Sequence, residues 1–97
     1  MELTIWKYPL NGQSRQSIDM PRGAKVLTVR FQGDTLTLWA LVDPKQPMEV
    51  HEVTVYGTGH PIPSEEMGTY VGTFSQDGWY IGHVFDWTPL GHEPQAQ

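Results

Sequence analysis

The chain has 97 residues, with 6 Lys+Arg against 11 Asp+Glu, a formal charge of -5 and no cysteine. That length supports one domain with one modest core, and the lack of thiols excludes a disulfide framework, a thiolate zinc site and a cysteine nucleophile. The cations Lys7, Arg15, Arg22, Lys25, Arg30 and Lys45 are scattered, with no run to neutralise a row of phosphates, so duplex nucleic acid is not an expected partner.

No segment shows an apolar period of 3.6; the recurring pattern is alternation between turn residues. Residues 3–8 (LTIWKY) predict a first strand, closed by Pro9 and the Asn11-Gly12 turn pair. Residues 16–20 predict a short second strand that stops at Pro21, which cannot donate to a ladder. Residues 24–32 and 35–43 flank Gly33-Asp34, a two-residue link with glycine first, as a type II′ hairpin requires. Leu27, Val29 and Phe31 are expected to share one face of that hairpin's first strand, and Leu36, Leu38, Ala40 and Val42 one face of its second. The other face of the second strand carries Thr35, Thr37, Trp39 and Leu41.

Residues 43–47 (DPKQP) are a loop on turn chemistry, and 49–57 (EVHEVTVYG) resume the strand pattern. Residues 64–68 (SEEMG) suit either one helical turn or a wide loop. Residues 69–76 and 79–87 flank Asp77-Gly78, a type I′ hairpin signal. Beyond Thr88 too little apolar content remains to pack, so 1–88 are expected to form one β domain and 89–97 a disordered tail. The expected class is all-β, a small antiparallel sandwich or barrel of about seven short strands. The longest apolar run, 38–42, is too short to span a bilayer, and the first ten residues lack the basic flank and apolar core of a signal peptide.

Six blocks stand in a fixed order: IWKYPL (5–10), MPRGAKVLTVRFQ (20–32), LWALVDP (38–44), YGTGHPIP (56–63), YVGTF (70–74) and HVFD (83–86). Together they resemble a family of small proteins of unknown function encoded by tailed bacteriophages and prophages. The resemblance runs to about Trp87 and implies a phage accessory protein in the cytoplasm of a host bacterium. It brings no catalytic residues with it.

The chemistry therefore rests on the residues themselves. In VYGTGHPIP (55–63) a strand breaks into glycines, a hydroxyl, an imidazole and two prolines. Gly57 and Gly59 allow close backbone approach, so their amides, with Thr58 and His60, could hold an anion. Tyr56 stands at the entrance, and Pro61, Ile62 and Pro63 at the exit. The plainer reading is a strand exit that needs glycine to bend and proline to end pairing. A nucleotide-derived ligand would draw its cations from Arg22, Lys25 or Arg30, with an aromatic residue such as Trp39 on its base.

A zinc site would need His51, His60 and His83 to converge, with Asp86 or Glu52. Isolated histidines are the simpler reading, and no metal or cofactor is expected. The serines lie in no elbow motif and Glu65-Glu66 suits a solvated turn, so no enzyme is expected. Two functions follow: sequestration of a small nucleotide-derived ligand, such as a host immune signal, or an acidic, aromatic-rich module that binds a host protein. Either suits a homo-oligomer, since a domain this small cannot readily bury all of its four Trp and four Tyr residues.

Overall fold

A computed structural model describes residues 1–88; the expected tail, 89–97, lies outside them. The strands are β1 (Thr4–Pro9), β2 (Arg15–Pro21), β3 (Lys25–Gln32), β4 (Thr35–Val42), β5 (Met48–Gly57), β6 (Thr69–Gln76) and β7 (Tyr80–Trp87), with a 3-10 turn at Ser64–Glu66. Every pairing is antiparallel. They form two sheets, sheet A in the order β1-β4-β3 and sheet B in the order β2-β5-β7-β6. The expected all-β sandwich of seven strands is what the described residues form. No helix among the described residues is long and apolar enough to cross a membrane.

Both hairpin turns follow from their residues. Gly33 has φ 63° and Asp34 does not share the positive sign, which is the type II′ pattern; Asp77 and Gly78 are both positive, at 56° and 77°, which is type I′. One expectation fails here. The β3–β4 register slips between Val26 and Thr28, so Leu27 is the extra residue of a bulge and stands 41% exposed. A bulge shifts the alternation by one residue, and Val26 takes the inward place assigned to Leu27.

The core lies between the sheets and contains Leu10, Met20, Val29, Leu38, Ala40, Val42, Val53 and Val84. Along one margin β3 packs close to β6, where Gly72 leaves room for Val29: a Cβ at Gly72 would lie 3.1 Å from Val29 Cγ1. At the opposite margin β1 and β2 belong to different sheets. Residues 10–14 join them, with Leu10 N–H donating to Leu36 O at 2.8 Å and Val55 N–H donating to Ser14 O at 2.8 Å.

The connection from β5 to β6 crosses a strand. Both pair with β7, so they run parallel; β5 ends beside Gly82, and β6 begins beside Asp86, near the other end of β7. Residues 58–68 span that length over the outer face of sheet B, where the His60 ring meets the Tyr56 ring at 5.8 Å. Gly68 closes the crossing with φ 59°, against the backbone of Asp86 and Cβ of Trp87.

Candidate functional site

The glycine-proline loop is first of all a corner. His60 N–H donates to Gly57 O at 3.0 Å and Thr58 N–H donates to Ile81 O at 3.3 Å. Gly59, at φ 89°, occupies the third position of a type II turn, where positive φ is required. Two amides of the expected anion cradle are thus committed to the fold, which removes the consecutive free N–H groups that a backbone anion site needs. Pro61, Ile62 and Pro63 carry the chain onto the crossing.

The loop's side chains do join a network on the outer face of sheet B. Thr58 Oγ1 lies 2.8 Å from His83 Nε2, His83 Nδ1 lies 2.9 Å from Thr73 Oγ1, and Thr73 Oγ1 lies 2.5 Å from the Tyr70 hydroxyl. Phe85 packs against Tyr56 at 6.1 Å and Tyr70 at 5.7 Å. These contacts tie the crossing to β6 and β7 beneath it.

The expected partners of the loop lie elsewhere. Arg22 N–H donates to Pro47 O, beside the first residue of β5, whereas Gly57 is its last. At about 3.3 Å per residue the two ends are roughly 30 Å apart. Lys25 pairs with Leu41, and Trp39 pairs with Lys7 and Thr28, which places Trp39 and Lys25 on the outer face of sheet A. The expected single pocket is therefore split: its loop covers sheet B, while its ring and cations border the other sheet. Alternation hides this, because sequence shows which residues share a strand face but not which sheet each strand joins.

The histidines do not converge. His51, 2% exposed, faces the core with its Nδ1 2.8 Å from Asp86 Oδ1. His83 points to the opposite face of the same sheet, and His60 Nδ1 lies 2.9 Å from the Pro61 carbonyl. Among the described residues no group of three or more His, Asp or Glu could hold a metal ion.

A different site was not legible as a motif. At the end of the sandwich bridged by residues 10–14, a cleft of about 390 Å³ opens between the sheets. Its wall is a row of rings drawn from both sheets. Phe31 meets Phe74 edge-on at 5.7 Å and Phe74 meets Tyr80 at 6.1 Å; outside the cleft, Tyr80 meets the exposed Trp79 at 6.0 Å. Glycines make the row possible. A Cβ at Gly82 would lie 2.5 Å from the Phe74 ring, and one at Gly57 would lie 3.2 Å from the Tyr80 ring. Gly57 therefore serves the cleft from behind.

The rim is polar and carries no Lys or Arg: Asn11, Gln13, Ser14, Asp34, Thr35 and Gln76 surround the opening. Gln13 N–H donates to Asn11 Oδ1 at 3.0 Å, which fixes the lip by an Asx turn. A concave, ring-lined space with a few placed hydrogen-bonding groups is the usual form of a small-molecule site. The available signal was the inward phase of Phe31 and Phe74 near the ends of their strands.

Comparison of the chain with curated proteins and with solved structures finds no match. A family model does match, over residues 1–94, and the chain belongs to that family, described as Domain of unknown function (DUF7352).

Proposed function

We propose that the protein is a non-enzymatic binder of a small, flat, hydrogen-bonding ligand, held in the cleft at the Leu10–Ser14 end of the sandwich. The observation that carries this reading is the Phe31–Phe74–Tyr80 row, which walls a space of about 390 Å³ beneath a neutral and acidic rim. Rings offer stacking surface, and the amides and hydroxyls of Asn11, Gln13, Ser14 and Gln76 offer donors and acceptors for a ring's edge. No cation lines the cleft and Asp34 stands at its mouth, so the fitting part of a nucleotide-derived ligand is its base or nucleoside, with phosphates held outside. In the phage setting that the sequence resemblance implies, such binding would withdraw a host signal from solution without altering it.

The test is thermal unfolding of the protein against nucleobases, nucleosides, cyclic dinucleotides and ADP-ribose derivatives. A ligand at a hundred times its Kd adds about 2.7 kcal/mol, a shift of several degrees for a domain this size. Ser14→Trp fills the cleft mouth while leaving the backbone carbonyl of Ser14 in place for Val55, and should cancel the shift. A flat response across the panel, or an equal shift in Ser14→Trp, refutes the reading.

One observation favours a protein partner instead. Trp79 is 75% exposed and Tyr70 56% exposed, both on the β6–β7 side of a chain with net charge -5. Exposed aromatic residues of this kind are typical interface anchors. A host protein captured by the wild type and lost with Trp79→Ala would support that alternative, and a second copy of the chain would register as a dimer in sedimentation.

A further inference from the structure

The six cations are dispersed in sequence, but the register of sheet A gathers three of them onto one face. Its outward rows are Ile5, Leu41 and Lys25; then Lys7, Trp39 and Thr28; then Pro9, Thr37 and Arg30; then Thr35 and Gln32. No Asp or Glu stands at any of these paired positions. Trp39 occupies the central strand in the second row and is half-buried, with cations in its own row and in both adjoining rows. Among the described residues none of Lys7, Lys25 and Arg30 has a carboxylate at ion-pair distance. The Lys7 ammonium donates across β4 to Gln32 Oε1 at 2.8 Å, a neutral partner that positions its charge without cancelling it.

Most of the described acids lie away from this face. Glu49, Glu52 and Asp86 are on sheet B, Asp19 is on β2, and Asp77 is in the β6–β7 turn. Glu2, Asp34 and Asp43 border the face beyond the strand ends, and Asp43 lines a shallow depression together with Lys25 and Arg22. A face with a ring at its centre and unpaired cations around it matches two features of one polymer, a spaced negative backbone and exposed flat bases. A duplex offers the charge but keeps its bases stacked and paired.

We propose that the outer face of sheet A is a platform for single-stranded nucleic acid, with Trp39 under a base and Lys7, Lys25 and Arg30 on the flanking phosphates. This site is separate from the end cleft and does not depend on it.

The test is fluorescence anisotropy of a labelled oligothymidylate about fifteen nucleotides long, and of a duplex of equal length, with the full chain. The single strand should bind more tightly than the duplex. Its log K should fall with log salt, between about 50 and 200 mM, with a slope near -2, as three phosphate contacts on a single strand give. The double variant Lys25→Glu/Arg30→Glu changes two exposed side chains and should remove binding while leaving the thermal midpoint in place. Trp39→Leu should weaken binding more than about tenfold with the salt slope unchanged. Ser14→Trp should bind as the wild type does. The proposal is overturned by no binding at low salt, by equal affinity for the duplex, by wild-type binding in the double variant, or by loss of binding in Ser14→Trp. A charge-dependent dimer without oligonucleotide binding would also overturn it, in favour of a second copy on this face.

Discussion

His51 Nδ1 lies 2.8 Å from Asp86 Oδ1, a diagonal pair across β5 and β7 on the core side of sheet B. Glu49 Oε2 stands 3.8 Å from the other ring nitrogen, at ion-pair distance but too far for a hydrogen bond. The imidazole thus sits between two carboxylates with only one bond made, and His51 Nε2 is buried without a hydrogen-bond partner. Such a group holds its neighbours in place while contributing little net stability of its own.

Removing one side of that pair strands the other. His51→Ala or Asp86→Ala should each cost about 3 kcal/mol in urea unfolding. The double replacement His51→Leu/Asp86→Leu should cost clearly less than the sum of the two single losses, because it leaves no orphaned polar group. Additive losses would show that the two side chains act independently.

Gly68 and Gly23 both have positive φ, at 59° and 86°, but only Gly68 is crowded, since its Cβ would lie 2.6 Å from Trp87 Cβ and 2.7 Å from Asp86 O. Gly23→Ala should therefore cost about 1 kcal/mol, the usual strain of an L-residue in the left-handed region. Gly68→Ala should cost several times more and loosen the crossing, raising hydrogen exchange at the Thr58 amide. Equal midpoints for the two variants would mean that the crossing is not held at Gly68.

Tyr8 points into the interior, and its hydroxyl is buried with no partner. Burial lifts its phenol above the ordinary value. Since the folded pKa exceeds the unfolded one, its contribution is fully present below about pH 10 and is lost as pH rises through the raised folded value. The wild type should lose stability above about pH 10 more steeply than Tyr8→Phe. At neutral pH Tyr8→Phe should be neutral or gain about 1 kcal/mol, because it deletes an unpaired buried hydroxyl. A parallel alkaline decline in both proteins would assign the effect to other groups.

His83 bonds to Thr58 on the crossing and to Thr73 on β6, in partly exposed surroundings where a hydrogen bond is worth about 1 kcal/mol. His83→Ala should lower stability by about that much for each bond lost and leave ligand shifts in the end cleft untouched. Loss of those shifts would move the ligand site to the outer face of sheet B.

Much of the fold was legible in sequence because it depends on local chemistry. Glycine first in Gly33-Asp34 and the Asp77-Gly78 pair specify turn types, and those turns specify two hairpins. Leu36, Leu38, Ala40 and Val42 show their inward face by alternation alone. The bulge at Leu27 was hidden, since an extra residue in one strand has meaning only against its partner.

The candidate sites divide along the same line. Residue order alone gives the all-β class, the sharp strand end at Gly57 to Pro63, and the strand face that Trp39 shares with Thr37 and Leu41. Strand pairing and sheet packing, in contrast, bring Phe31, Phe74 and Tyr80 into one wall and set Lys7, Lys25 and Arg30 on one surface. They also place Arg22 far from Gly57, at the other end of β5. Alternation along a strand is a local property of the backbone, whereas the pairing of β1 with β4 and of β2 with β5 is chosen by burying the combined apolar faces of all seven strands.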